Sequence, residues 1–163
     1  MKKIKGIRFI KQVPETGSCG PVSLKIVLDY FGVNKTTKVL TEMCKTTKEN
    51  GTSLKNIIRA GKDLGFKVTV KDNTKISDIK RQIDKNIPVI IDWFIDFEKI
   101  GFPDGHYSVV FGYDDKYIYI ADPVLGERKF LYEDFLRCWF DFEGECIKTK
   151  NDLILRRMIV VSR

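Results

Sequence analysis

The chain has 163 residues, 43% of them hydrophobic and 31% charged, and its 29 Lys+Arg exceed its 22 Asp+Glu for a formal net charge of +7. These values are ordinary for a globular protein of one domain, long enough for a proper core. No run of about eighteen apolar residues exists, which excludes an apolar membrane-spanning helix. The lysines are spread along the chain and alternate with acids, so the charge reads as a solvated basic surface. No basic-aromatic motif for nucleic acid stands out, and no nucleic-acid partner is expected.

The start, MKKIKGIRFIK, is basic but leads into no apolar h-region or small-residue cleavage site. It does not read as a signal peptide, so a cytoplasmic location is expected. There Cys19, Cys44, Cys138 and Cys146 are expected to be thiols. None forms a CxxC pair and the chain has a single histidine, which gives no support to a zinc site.

In chain order, Ile7 to Val13 reads as an extended lead-in. Residues 19–31 read as a helix, because Leu24, Val27, Leu28 and Phe31 follow the i, i+3, i+4, i+7 pattern. Val22, Ile26 and Tyr30 widen the apolar arc beyond half the circumference, leaving Lys25 and Asp29 as the polar stripe. Such a helix is expected at the centre of the fold. Pro21 suits its first turn and Gly32 its end. Further helices are expected at about 36–46, 53–64 and 76–85, with a strand from Phe66 to Val70 between the last two.

From residue 87 the texture turns to strands: IPVIIDWF, HYSVVFGY and KYIYIADP. A short helix near 132–140 and a closing strand, LILRRMIVVSR, complete the pattern. Helices precede strands, so the class is α+β: one domain over 1–163, with a helical half at about 14–86 and a sheet half at about 87–163.

A cysteine at a helix mouth differs from one inside a helix. The unpaired N–H groups and the positive dipole end stabilise an anion there, and the thiolate is the form that attacks carbonyls. Cys19 stands at such a mouth, in GSCGPVSL, although a cysteine is also a common small core residue. His106 opens the strand HYSVVFGY. If the hairpin turn centres on Asp114, His106 lies directly opposite Asp122, with Cα atoms ~4.5–5.5 Å apart. A two-residue turn at Asp114-Asp115 would shift the register by one and separate them. A facing carboxylate fixes the tautomer of an imidazole and stabilises its charged form. The developing oxyanion also needs donors: the Cys19 backbone N–H is one, and the side-chain amide of Gln12 is a second candidate.

The ordered series Q…GSCGPVSLKIVLDYFG, GTSLKNIIRAGKDLGFKV, IPVII and GHYSVVFGYDDKYIYIADP resembles the C39 and C39-like cysteine peptidases of the papain-like clan, over about residues 8–125. The resemblance implies a papain-like fold with the cysteine on a central helix, the histidine and aspartate on an antiparallel sheet, and a cleft between. It implies Cys19 as nucleophile, His106 as general base and then acid, Asp122 as orienting residue and Gln12 as oxyanion donor. No metal or organic cofactor is implied.

The best-known members of that family are N-terminal domains of peptide-exporting transporters that cut after a Gly-Gly pair. This chain carries no transporter portion, so a transporter on a separate chain is the partner the resemblance admits, besides a peptide or protein substrate. The segment DWFIDFEKIGFPDG brings Trp93, Phe94, Phe97 and Phe102 toward His106. Trp93 and Phe102 are expected to line a substrate groove, the alternative being that the aromatics continue into the core. Cys44, Cys138 and Cys146 are expected to be packing residues. The expected chemistry is hydrolysis of a peptide-like amide through a Cys19 thioester. Acyl transfer from the same thioester, and a peptide-binding module without turnover, are the alternatives.

Overall fold

The computed structural model describes residues 1–95, 104–142 and 146–163. Five helices lie among them: α1 (Cys19–Tyr30), α2 (Thr37–Met43), α3 (Leu54–Asp63), α4 (Ile76–Asp84) and α5 (Tyr132–Cys138). The strands are β1 (Lys2–Lys3), β2 (Lys67–Lys71), β3 (Val89–Ile95), β4 (Asp104–Tyr113), β5 (Tyr117–Asp122), β6 (Gly126–Leu131), β7 (Phe140–Phe142), β8 (Leu153–Leu155) and β9 (Arg157–Ser162). The main sheet is antiparallel, in the order β2-β9-β3-β4-β5-β6, with β1 added beside β4. β7 and β8 form a separate pair.

The strand from the N-terminal part, β2, joins the sheet of the C-terminal part through β9. The sheet is also buried on both faces. Alternation sends Ile90, Val109, Phe111, Ile159 and Val161 into a core shared with α1, α2 and α3. It sends Val89, Ile91, Val110, Met158 and Val160 into a second core with Ile79 and Ile83 of α4 and Phe135 of α5. That double burial explains why IPVII reads as a continuous apolar run rather than an alternating one.

The widened apolar arc of α1 has the expected consequence. Residues 20–24 and 26–28 are buried. Even the polar stripe is largely covered: the Lys25 ammonium donates to Asp29 and to the Lys35 carbonyl. Gly32 ends the helix region at a φ of 80°.

Two elements depart from the expected pattern. LILRRMIVVSR is not one strand, because Arg156 adopts a φ of 50° and divides β8 from β9. GERKFL, which carries no strand signal in the sequence, is the edge strand β6. It is mostly exposed and so lacks the apolar alternation that marks a strand.

Candidate active site

The site forms where α1 begins, β4 begins and β5 ends. Cys19 is the first residue of α1, so its backbone N–H has no partner within the helix. Two glycines set the approach to it. Gly17 has a φ of 65°, and a Cβ there would lie 2.7 Å from the Thr47 carbonyl oxygen. A Cβ on Gly20 would lie 2.8 Å from the Cβ of Thr52. The chain around the cysteine is therefore packed against the 47–52 segment at positions 17 and 20, where no side chain fits.

His106 and Asp122 meet, by a route different from the one expected. The hydrogen bond from Asp114 N to Tyr117 O and the pairing of Tyr113 with Ile118 centre the turn on Asp115-Lys116. That two-residue turn alone would place the two side chains on opposite faces. A bulge at Phe111 restores the parity, since Val109 pairs with Ala121 and Val110 with Ile120 on its far side. In this register Asp122 lies across from Ser108 instead of His106. The histidine is two residues along on the same face, a diagonal neighbour, and its Nε2 is 3.0 Å from Asp122 Oδ2. An error of two residues in register keeps the face, and so keeps the pair.

Every acceptor direction of Asp122 is used. Oδ1 accepts from the backbone N–H groups of Val124 and Leu125 at 2.7 and 2.8 Å. Oδ2 accepts from the Ser108 hydroxyl at 2.7 Å and faces His106. The Asp-Pro step thus acts as a turn that holds its own carboxylate. Burial presses this carboxyl upward, but the hydrogen bond and charge of His106, with the Leu125 and Ser108 donors, hold it below the usual carboxylate range.

His106 is 7% exposed. Burial works against its charged form, yet hydrogen bonds to Asp122 and to the Cys19 sulfur, with the electrostatic pull of both, outweigh burial and raise it to about 10. With Nε2 turned to Asp122, Nδ1 is the nitrogen left for the sulfur.

Gln12 lies on the strap leading to α1. Its backbone N–H donates to the Pro123 carbonyl at 2.8 Å, which ties the strap to the residue after Asp122. Its side-chain Oε1 is buried with no partner among the described residues. Trp93 does not line a groove. Alternation along β3 turns it onto the α5 face, where it is 1% exposed against Phe130 and Phe135. Its indole N–H donates to Ser108 Oγ at 3.0 Å. Phe102 and Phe97 lie outside the described residues.

A cleft of about 260 Å³ opens beside Cys19. Gly17 and residues 48–52 line one side, and Gly105, Tyr107, Asp141 and Phe142 the other. Behind it the buried Asp92 hydrogen-bonds Asp141 and lies 3.6 Å from Arg157. Burial, then the Asp141 charge, push the Asp92 carboxyl well above the usual range against the pull of Arg157. Sequence reasoning passed over Ser108, Asp92 and Asp141. The visible signal for two of them was a polar residue inside an apolar strand, SVVF for Ser108 and IIDW for Asp92.

Of the other thiols, Cys44 is fully buried and raised to about 11, mainly by that burial and against the nearby Arg59. Cys138 is half-buried and packs against the second core. Cys146 is exposed, which corrects its expected packing role: among the described residues neither hydrophobic cluster includes it. Among the described residues no group of histidine, cysteine and acidic side chains is arranged to hold a metal ion, and no helix is long and apolar enough to cross a membrane.

Known proteins resemble this chain in sequence or in fold. An uncharacterised protein of Methanothermobacter marburgensis is 32% identical over 157 residues, covering 96% of this chain and 94% of that one. The peptidase domain of Streptococcus ComA, a bi-functional ABC transporter of a quorum-sensing pathway, superposes with a TM-score of 0.72 at 23% identity over 96% of this chain and 98% of that one. A double glycine motif protease from an AMS/PCAT transporter, solved with its leader peptide, gives a TM-score of 0.66 at 20% identity over 99% and 97%. The fold is therefore α+β and that of the papain-like C39 peptidase domains. Since the family model for peptidase C39 also matches residues 7–149, all but the ends of the sequence, the chain belongs to the peptidase C39 family.

Proposed function

We propose that this chain is a thiol peptidase that cleaves a peptide-like amide at Cys19. The observation that carries the reading is the contact of the sole imidazole with the Cys19 thiol on one side and with a fully occupied carboxylate on the other. The Cys19 sulfur, as thiolate, adds to the amide carbonyl, and a C–S bond forms as the oxygen takes the negative charge. The Cys19 backbone N–H and the amide of Gln12 donate to that oxygen. Gln12 fits the role because its side-chain Oε1 is buried and has no partner among the described residues, and because its backbone is tied to Pro123. Turning the amide about its last bond exchanges oxygen for NH2 at the buried position.

His106 then gives its proton to the leaving nitrogen as the C–N bond breaks, leaving a thioester. Water, deprotonated by His106, attacks the thioester and releases the acid and the thiol. Asp122 stays ionised throughout and stabilises the imidazolium. A peptide is the substrate class that suits the cleft beside Cys19 and the family to which the chain belongs. Action in the cytoplasm, on a peptide handled by a transporter, is the setting most consistent with this reading.

The test is a peptide-library screen that includes leader peptides ending in Gly-Gly, with wild type and Cys19→Ala compared by mass spectrometry. Cleavage by the wild type alone, with a transient acyl adduct on Cys19, is the expected result. Capture of the acyl group by added amines in preference to water would redirect the reading to acyl transfer. Binding without cleavage or adduct would make the chain a peptide-binding module.

A further inference from the structure

We propose that Ser108, held by Trp93, is a positioning residue that aims the Asp122 carboxylate at His106. This rests on the reading of Cys19 and His106 as the reacting pair. A serine hydroxyl has one proton and two acceptor lone pairs, an indole N–H only donates, and an ionised carboxylate only accepts. The indole of Trp93 donates to Ser108 Oγ at 3.0 Å, so the hydroxyl's acceptor side is occupied. Its proton is directed at Asp122 Oδ2, 2.7 Å away. The donors run in one direction, from tryptophan through serine to aspartate, and no reversed arrangement satisfies all three groups.

The same oxygen, Oδ2, is the one that faces His106 Nε2. Oδ1 is fixed by two backbone N–H groups, which pin one end of the carboxylate and leave rotation about that end as its freedom. Ser108 removes that freedom. The relay is dry, with Ser108 0% and Trp93 1% exposed, so no solvent is at hand to replace a lost donor.

The experiment uses the fact that His106 is the only histidine in the chain, so its imidazole NMR signals need no assignment. The full chain would be titrated as wild type, Ser108→Ala, Ser108→Thr and Trp93→Phe, and Cys19 alkylation by iodoacetamide measured in parallel. In wild type the imidazole midpoint is expected near 10. Ser108→Ala is expected to lower it by a pH unit or more and to slow alkylation about tenfold, the scale of one hydrogen bond to a charged group. Ser108→Thr, which keeps the hydroxyl, is expected to retain the wild-type midpoint, and Trp93→Phe to show a smaller fall.

A midpoint that stays or rises in Ser108→Ala overturns the proposal. The hydroxyl would then only dampen the carboxylate, and removing it would leave a stronger acceptor for the imidazole. If Ser108→Ala fails to fold, Trp93→Phe decides by the same sign. The wild type supplies a check independent of either variant: a slowly exchanging Ser108 hydroxyl proton close to the Trp93 indole N–H. A hydroxyl proton in fast exchange would contradict the relay. Should wild-type Cys19 alkylate no faster than the exposed Cys146, the peptidase reading fails, while the imidazole titration still decides the role of Ser108.

Discussion

Replacing Asp122 with asparagine exchanges one carboxylate oxygen for an NH2 group and reverses the logic of the site. The oxygen of the new amide is claimed by the Val124 and Leu125 N–H groups, which need an acceptor and sit at 2.7 and 2.8 Å from Oδ1. Its NH2 group must therefore take the place of Oδ2, 3.0 Å from His106 Nε2. A donor there requires Nε2 to accept, so the neutral ring carries its proton on Nδ1, toward Cys19. The imidazole then has no lone pair for the sulfur's proton. The loss of the carboxylate also removes the charge that, with the hydrogen bonds, outweighs burial at His106. Where a positioning aspartate of this type becomes asparagine, the tautomer error costs ~10⁴ in turnover, or roughly 5 kcal/mol of transition-state stabilisation. Two measurements check this: cleavage of whichever library peptide the wild type cuts, and ¹⁵N shifts of the sole imidazole. The wild type is expected to hold a doubly protonated ring through pH 8. Asp122→Asn is expected to titrate at or below the ordinary 6.5 and then to show the Nδ1–H form. A variant that cleaves within tenfold of wild type, or whose neutral ring carries its proton on Nε2, would refute the reasoning.

The His106–Asp122 pair should also shape stability against pH. The raised His106 contributes stability that is complete below about 6.5 and lost as pH climbs toward 10; the lowered Asp122 contributes above about 3.8 and loses it in acid. The unfolding free-energy difference between wild type and His106→Gln is therefore expected to be largest between these limits and to shrink on both sides, read from urea melts across pH. Asp92 runs the other way, because its carboxyl is raised by burial and Asp141, so ionisation of the unfolded chain erodes stability as pH rises. Asp92→Asn should be more stable than wild type at pH 8 by about 1–2 kcal/mol and close to it at pH 4; an unchanged gap between the two would show that Asp92 is ionised in the fold. Gly20→Ala would drive a methyl into Thr52, whose hydroxyl is tied to Thr46 at 2.6 Å. A loss of ~1–3 kcal/mol with slower Cys19 alkylation is expected, and a thermal midpoint equal to wild type would show that Thr52 yields freely.

Much of this protein was legible in its residues. The apolar arc of α1, its flanking glycines and its proline fix a buried helix with a cysteine at the mouth, because these are local preferences of backbone and side chain that no tertiary contact overrides. The Asp-Pro step and the single histidine named the polar pair. The hairpin register was not legible, since it depends on a bulge at Phe111 that no turn residue announces. The facing of Trp93 was not legible either. A strand buried on both sides presents apolar residues to both, and only the packing of α5 and β6 against β3 decided which side the indole took. The donor chain through Ser108 likewise exists only once three strands lie side by side, because hydrogen-bond direction belongs to groups brought together in space and leaves no periodic mark in the chain.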